Sequence, residues 1–220
     1  MDRPTWLKEQ RRRAEERMDT LFAPIYDQNW GGYINESHRM VLDRFLNLCP
    51  PGGTILDAAC GTGKYWPIVL ASGRTVHGTD QSRQMLLRAQ AKFPDMPAEK
   101  LGLQEMRFVE VFDGIICMDA MEVVPPEDWP LVMENFHRAL KPEGYLYFTV
   151  ELIDAGELQD ALRAARDRGL PVVEGEWAPE DRYHYYPKIE QVRTWAQAAG
   201  FAILEEAVGD DYHHFLARKV

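Results

Sequence analysis

A glycine-rich turn between two strand-like segments constrains the fold of this chain more than any other feature. Residues 54–58 form an apolar run typical of a buried strand, and Gly61 and Gly63 behind it let the backbone turn tightly and approach a ligand. A second strand-like run, 75–79, delivers Asp80 about 17 residues beyond Gly63. At this spacing a carboxylate meets the ribose hydroxyls of a nucleoside lying across the turn. The pattern therefore predicts a nucleotide pocket.

Strand-type and helix-type segments alternate along the rest of the chain, which predicts an α/β domain with a mostly parallel sheet. The chain of 220 residues is long enough to bury a core as one domain. We expect helices over 38–48, 64–72, 82–93, 127–140 and 188–199, a helical insertion over 153–187, and strands over 101–103, 114–118, 145–151, 201–207 and 212–218. An amphipathic helix is expected near the N-terminus, with the arginine run 11–13 on its solvated face.

Composition and charge limit the classes of partner. The net charge of −10 works against nucleic acid, because affinity for nucleic acid depends mainly on Lys and Arg neutralising phosphates. The three cysteines form no CxxC motif and no Cys/His cluster, which fits a reducing compartment and predicts no metal site. We find no apolar run long enough for a membrane span and no signal-peptide pattern, so a cytoplasmic location without membrane contact is expected. The oligomeric state stays open.

The motifs Asp57-x-Ala59-x-Gly61-x-Gly63 and Asp80-Gln81-Ser82 resemble those of class I S-adenosylmethionine (SAM)-dependent methyltransferases of the small-molecule type. Asp57-x-Ala59-x-Gly61-x-Gly63 is similar to the family's glycine-rich motif, although Ala59 stands where a first glycine is usual. Asp80-Gln81-Ser82 with Met85 resembles the second motif, and the segments 112–118, 140–144, 199–201 and 212–219 resemble later strands and turns of the same fold.

The resemblance implies a Rossmann-like fold, with a seven-stranded, mostly parallel sheet, helices on both faces and an antiparallel last strand. It also implies one methyltransferase domain over 1–220. Within it we expect an N-terminal helical lid (1–50), a cofactor-binding core (51–152), a substrate cap (153–187), and a closing helix and hairpin (188–220).

SAM is the implied cofactor, and S-adenosylhomocysteine (SAH) the product. Asp80 would hold the ribose hydroxyls, Met85 would pack on the adenine, and Asp57 with the turn amides would face the methionine portion. Arg39 could pair with the cofactor carboxylate, because its planar fork suits that group. The residues expected to contact the cofactor are Asp57, Ala59, Gly61, Thr62, Gly63, Asp80, Gln81, Met85, Gln104, Glu105, Met118, Asp119, Tyr26, Tyr33 and Arg39.

Two aromatic-rich segments are expected to form the acceptor side: a lid segment, 26–33, and the end of the insertion, 182–187. The implied reaction is in-line transfer of a methyl group to the oxygen, nitrogen or sulfur of a small molecule. Positioning can contribute roughly 7 to 11 kcal/mol, which is more than a general base supplies. His184 and Glu122 are the expected base candidates, with Asp119 behind them.

Each assignment has a structural alternative. Asp80 could serve only as a helix cap, Met85 only as core, and the lid aromatics only as packing between helices and sheet. A nicotinamide-dependent oxidoreductase would share the strand, turn and acid, but its fingerprint places a third glycine at position 66, where this chain has Trp66. The alternative of a non-catalytic SAM-binding module also stays open, because a sequence that predicts a binding pocket does not establish catalytic turnover.

Overall fold

The computed structural model of the chain describes residues 1–180 and 182–220. In chain order the elements are α1 (Arg3–Arg17), a π-helical turn (Met18–Phe22), α2 (Tyr26–Asn29), α3 (Glu36–Leu48), β1 (Thr54–Ala58), α4 (Trp66–Ala71), β2 (Thr75–Asp80), α5 (Arg83–Lys92), β3 (Ala98–Lys100), a 3-10 turn (Leu103–Glu105), β4 (Phe112–Cys117), a second 3-10 turn (Met121–Val123), α6 (Trp129–Ala139), β5 (Leu140–Glu151), α7 (Ala155–Asp167), β6 (Glu176–Trp177), β7 (His184–Tyr185), α8 (Ile189–Ala198), β8 (Phe201–Gly209) and β9 (Tyr212–Lys219).

Seven strands form one sheet in the order β3-β2-β1-β4-β5-β9-β8. Strands β3, β2, β1, β4 and β5 pair in parallel, whereas β9 runs antiparallel to both β5 and β8. The strand order reverses between β1 and β4, which is where an open α/β sheet has its ligand crevice. The expected Rossmann-like fold with an antiparallel last strand is confirmed.

The two faces of the sheet are covered by separate apolar clusters, because successive strand residues point to opposite sides. Ile55 faces the cluster of α3, α4 and α5, while Leu56 faces the cluster of α6, α8 and the cap. Both side chains are fully buried. Among the described residues, no helix combines the length and apolar character needed to cross a membrane.

The third strand lies earlier in the chain than the sequence predicts. We expected it over 101–103, but β3 pairs Ala98–Lys100 with β2, and residues 103–105 form a 3-10 turn instead. Because β3 is a short edge strand with polar residues, it lacks the apolar run that marks a buried strand. Leu101 and Leu103 are buried beside the crevice, which explains their apolar character.

The insertion is not wholly helical as expected. It contains α7, followed by a two-stranded antiparallel ribbon in which Glu176 pairs with Tyr185 and Trp177 with His184. Aromatic side chains favour strand geometry, which accounts for the ribbon. Strand β5 also begins earlier than predicted, at Leu140, with a register irregularity opposite 112–114.

Candidate active site

A cavity of about 830 Å³ lies outside the carboxyl ends of β1, β2 and β4. It is within the usual range for a small-molecule site, about 300 to 1,000 Å³. Most of the residues expected to touch cofactor or acceptor line it: Tyr26, Tyr33, Asp57, Ala59, Gly61, Asp80, Gln81, Met85, Gln104, Met118, Asp119, Glu122 and His184. The fold therefore brings together residues that are far apart in sequence.

Asp80 organises the turn between β1 and α4. One carboxylate oxygen accepts a hydrogen bond from the Gly61 amide at 2.8 Å, and the other accepts one from the Ser82 amide at 2.7 Å. The helix α5 is capped by Ser82, whose hydroxyl accepts from the Met85 amide. Asp80 is thus not the N-cap of that helix, and its position links the glycine turn to the second strand.

Trp66 occupies the position at which a dinucleotide fingerprint would have its third glycine. Its indole N–H donates to Asp57 at 2.8 Å, and its ring is fully buried. A Cβ on Gly78 would lie 2.4 Å from this ring, and one on Gly63 would lie 2.9 Å from it. The tryptophan therefore fills the space beneath the turn, and two glycines accommodate it.

The cavity holds three carboxyls whose pKa is raised. Burial is the main cause in each case and raises the pKa of Asp57 to about 7, of Asp80 to about 6 and of Glu122 to about 8. The Trp66 N–H opposes this shift at Asp57, and two backbone amides oppose it at Asp80. Nearby Glu151 raises the pKa of Glu122 further. Such a site favours a cationic ligand, which would let these groups ionise.

Asp119 differs from these three carboxyls. Burial acts to raise its pKa, but the contacts with His38 and Tyr65 and the charge of Lys64 together outweigh that effect, and the pKa lies below its usual value. His38 Nε2 is 2.7 Å from one oxygen, and the Tyr65 hydroxyl donates to the other at 3.2 Å. The Asp119 amide donates to the Thr149 hydroxyl. This carboxylate is therefore ionised and held in place near neutral pH.

Both aromatic segments contribute to the far side of the cavity. Tyr26, Trp30 and Tyr33 line it from the lid, and Tyr183 with His184 line it from the ribbon. In contrast, Tyr185 and Tyr186 do not line it; Tyr185 packs near Trp195, and Tyr186 lies beside His184.

His184 has its two polar contacts at one ring nitrogen, Nδ1. Its Nδ1 lies 3.1 Å from the Tyr186 hydroxyl and 3.2 Å from a Glu151 carboxylate oxygen. Both contacts involve the same nitrogen, so Nε2 is free of them. Glu122 lines the same cavity, and its Oε2 is buried without a hydrogen-bond partner among the described residues.

Four of the expected cofactor residues lie outside the cavity lining. Arg39 is exposed and pairs with Asp43 one helical turn away, so the structure does not place it where it could bind a cofactor carboxylate. Glu105 pairs with Arg11. Thr62 donates to Asp27 of the lid, and Gly63 serves the turn through its positive φ of 76°. In the structure these four residues have structural partners or roles.

Several lining residues were missed by sequence reasoning. Lys64 and Tyr65 follow the glycine turn directly, and that position in the chain is the signal that could have marked them. Tyr212 enters from the last strand. The N-terminal helix also lines the cavity through Leu7 and Arg11, among others. Only part of the expected arginine run is solvated surface: Arg12 and Arg13 pair with Glu9 on the exposed face.

A sequence model for the methyltransferase domain matches residues 32–206 of this chain. The methyltransferase YqeM of Bacillus subtilis (strain 168) is 34% identical over 137 residues. The match covers 59% of this chain and 53% of that protein, so the chain spans about half the length of this relative.

Solved structures show the same fold. Magnesium protoporphyrin IX methyltransferase from Synechocystis PCC 6803, with bound SAH, aligns with a TM-score of 0.70 at 17% identity, covering 96% of this chain and 100% of that one. The 1,6-didemethyltoxoflavin-N1-methyltransferase from Burkholderia thailandensis, with bound 1,6-didemethyltoxoflavin and SAH, aligns with a TM-score of 0.72 at 16% identity, covering 100% and 92% of the two chains. At these identities the likeness concerns the fold alone.

Proposed function

The chain belongs to the methyltransferase domain family, and on this premise we propose that it binds SAM in the cavity described above and methylates a small-molecule acceptor there. The observation that carries the proposal is the meeting of two sets of residues in one cavity. The glycine turn and its acidic side chains lie at the sheet, while the aromatic lid and the ribbon histidine lie opposite.

The residues present fit this cofactor. Asp80 closes the second strand beside the turn, Met85, Leu101 and Leu103 offer an apolar wall for an adenine ring, and Asp57 adds a buried carboxyl. When bound, SAM supplies a methyl group on a positively charged sulfonium, and its leaving group needs no proton. The acidic side chains favour such a cation, since they lie in a cavity of low polarity where charges interact strongly.

A small acceptor is favoured by the volume and by the chemistry of the walls. About 830 Å³ must hold both cofactor and acceptor, which leaves space for a compact molecule and not for a polymer. The net charge of −10 disfavours nucleic acid. Two structural relatives are named for the small molecules magnesium protoporphyrin IX and 1,6-didemethyltoxoflavin, and the aromatic residues Tyr26, Trp30 and Tyr183 suit a small apolar or aromatic acceptor here.

We assign His184 as the proton acceptor when the methyl acceptor is a hydroxyl. The contacts at Nδ1 leave Nε2 available, and the residue lines the cavity. Glu122 lies in the same wall and can accept a hydrogen bond from the acceptor. A general base of this kind adds typically about 10² to 10⁴ in rate.

Calorimetry with SAM, SAH and NAD tests the cofactor, and product detection over a panel of small acceptors tests the reaction. We expect micromolar binding of SAM and SAH with no comparable affinity for NAD; tighter binding of NAD would contradict the proposal. Binding without turnover of any acceptor would favour the alternative of a SAM-binding module.

For a hydroxyl acceptor, His184→Ala should lower kcat by about 10² or more and leave SAH affinity unchanged. The matched control is His77→Ala, which removes a histidine that contacts Glu99 outside the cavity. An unchanged kcat in His184→Ala, or an equal loss in the control, would remove His184 from the proposed role.

A further inference from the structure

Glu122 lines the cavity from the side of the cap and not from the glycine turn. It belongs to the 3-10 turn of Met121–Val123, which packs against β5 and against β7, the ribbon strand that contains His184. The two other carboxyls of raised pKa, Asp57 and Asp80, come from β1 and β2 instead. The position of Glu122 therefore favours contact with the methyl acceptor over contact with the nucleoside.

The Glu122 carboxyl has no counter-charge from the part of the chain that the structure describes. Its Oε2 is buried without a hydrogen-bond partner, and no lysine, arginine or histidine of residues 1–180 and 182–220 pairs with it. Burial raises the pKa of this carboxyl to about 8, and the negative charges of Glu151 and Asp119 contribute to the rise. A buried carboxyl without a partner is costly, and a cationic ligand group would offset that cost.

The groups around Glu122 make this end of the cavity acidic. Lys64 also lines the cavity, but the carboxylate that acts on its ammonium is Asp119. The titratable groups that surround Glu122 are Cys117 and Asp119 at the end of β4, Glu151 from β5, His184 and Tyr186 from the cap, and Tyr212 from β9.

An aromatic ring lies beside the carboxyl. Burial raises the pKa of the Tyr212 hydroxyl, and the charges of Asp119 and Glu122 raise it further, so the phenol is close to both carboxyls. Tyr212 and Tyr26 both line the cavity. The face of a tyrosine ring attracts an organic cation, and this attraction increases when the cation is desolvated. A carboxylate beside such rings therefore suits an ammonium group on an apolar or aromatic molecule.

We propose that Glu122 is the specificity residue for a cationic amino group on the methyl acceptor, which is then an amine-bearing aromatic or apolar small molecule. The Glu122 carboxylate contacts the ammonium, and Tyr212 offers a ring face to it. This inference rests on the proposed function and narrows its acceptor class. It applies to oxygen, nitrogen and sulfur acceptors alike, because the ammonium anchors the molecule and another atom attacks the methyl group.

The test uses two sets of probes that share a ring and differ in charge, titrated by calorimetry into the protein loaded with SAH. One set is tryptamine, tryptophol and indole propionate; the other is phenethylamine, phenethyl alcohol and phenylpropionate. In at least one set the amine should bind roughly 10-fold tighter than the alcohol, and the carboxylate should bind least. Glu122→Gln should weaken binding of that amine by roughly 10- to 100-fold, the effect of losing a contact with a charged group. Binding of the alcohol should stay nearly unchanged.

Proton release gives a second measurement that a purely structural role of Glu122 would not affect. Because the pKa of the empty site is about 8, binding of the amine near neutral pH should drive a proton from the carboxyl. The binding enthalpy should then depend on the ionisation enthalpy of the buffer. Glu122→Gln should abolish that dependence, because an amide has no proton to release.

Glu127→Gln is the matched control, because it removes the same charge from the same cavity. Glu127 already pairs with Arg3, so its loss should leave the preference for the amine in place. An equal loss of preference in both variants would mean that net charge alone decides binding, and the assignment of Glu122 would be overturned.

The remaining outcomes separate this inference from the function on which it rests. If the unmodified protein does not bind SAH, the proposed function fails and the inference fails with it. If SAH binds, but neither amine binds tighter than its alcohol or Glu122→Gln keeps the preference, only the inference is overturned. A loss of SAM affinity relative to SAH in Glu122→Gln would place this carboxyl at the sulfonium and overturn it as well. Binding of SAH by the variant shows that it is folded.

Discussion

At the scale of single residues, Ala59 is a position in the glycine turn where side chain and backbone conflict. Its φ of 64° lies in the left-handed region, which costs an ordinary L-residue roughly 1–2 kcal/mol. The resemblance to the methyltransferase motif places a glycine at this position. The chain thus keeps the turn geometry that the cofactor site requires and accepts local strain for it.

Ala59→Gly should raise the free energy of unfolding by about 1 kcal/mol, measured by urea denaturation. The gain is the relieved strain, reduced by the greater freedom of glycine in the unfolded chain. Ala58→Gly is the matched control, because Ala58 is buried in the extended backbone of β1 and its replacement should destabilise. Equal destabilisation by both variants would show that Ala59 is not strained.

Residue spacing could indicate only the part of the site that lies near the glycine turn. Asp57 and Asp80 follow from their positions around that turn, Met85 follows from the resemblance to the methyltransferase motifs, and all three line the cavity. The contact between His38 and Asp119 joins residues 81 positions apart, and no local pattern encodes it. Lys64 could be suspected from its neighbours in sequence, but packing decides that no carboxylate of the described residues lies within ion-pair distance of its ammonium.

At the scale of elements, a buried carboxylate connects the N-terminal helix to the ribbon of the cap. Glu176 is fully buried and accepts hydrogen bonds from Arg3, from the Tyr183 hydroxyl at 2.6 Å, and from the Val173 amide. Arg3 also donates a hydrogen bond to Glu127, which lies two residues before the start of α6. Since α1 and Tyr183 both line the cavity, this cluster determines how the site is covered.

Glu176→Ala should destabilise the protein by about 3 kcal/mol, because it leaves buried donors unpaired. Hydrogen exchange should also become faster in α1 and the ribbon. Arg3 retains Glu127, which keeps the cost at the low end of the usual range. The control Glu174→Ala removes an exposed carboxylate that pairs with Lys188, and it should leave the free energy of unfolding almost unchanged. A comparably small effect of Glu176→Ala would mean that the cap is held by its apolar contacts alone.

Element prediction succeeded where a strand carries a mostly apolar run and failed where it does not. Strands β1 and β4 are mostly apolar and were found from the sequence, whereas the edge strand β3 has no such run. The ribbon of Glu176–Trp177 and His184–Tyr185 is too short for any periodicity. Its geometry depends on contacts with α1, which lies more than a hundred residues earlier.

At the scale of the whole molecule, the cavity carboxyls link global stability to pH. Asp80, Asp57 and Glu122 have pKa values of about 6, 7 and 8 in the fold, against ordinary values of 3.8, 3.8 and 4.5. At a pH between the ordinary value and the folded value of a carboxyl, the folded protein binds more protons than the unfolded chain. Stability from these groups is therefore present below about pH 4 and is lost as pH rises through the folded values. Burial lowers the pKa of His214 from its ordinary value of 6.5, and this shift changes stability with pH in the opposite direction.

We expect the Tm of the ligand-free protein to fall as the pH rises from about 5 to 8.5, as measured by scanning calorimetry. Asp57→Asn keeps an acceptor for the Trp66 N–H and should flatten this decline, because an amide cannot ionise in the buried site. Asp113→Asn is the control. Although burial acts the other way, the Lys141 contact lowers the pKa of Asp113, so its contribution changes only in acid and the decline should persist. If Asp57→Asn leaves the decline of Tm with pH unchanged, burial of the Asp57 carboxyl does not cause that decline. SAM should reduce the decline in the unmodified protein, because its positive charges favour the ionised carboxylates that burial disfavours.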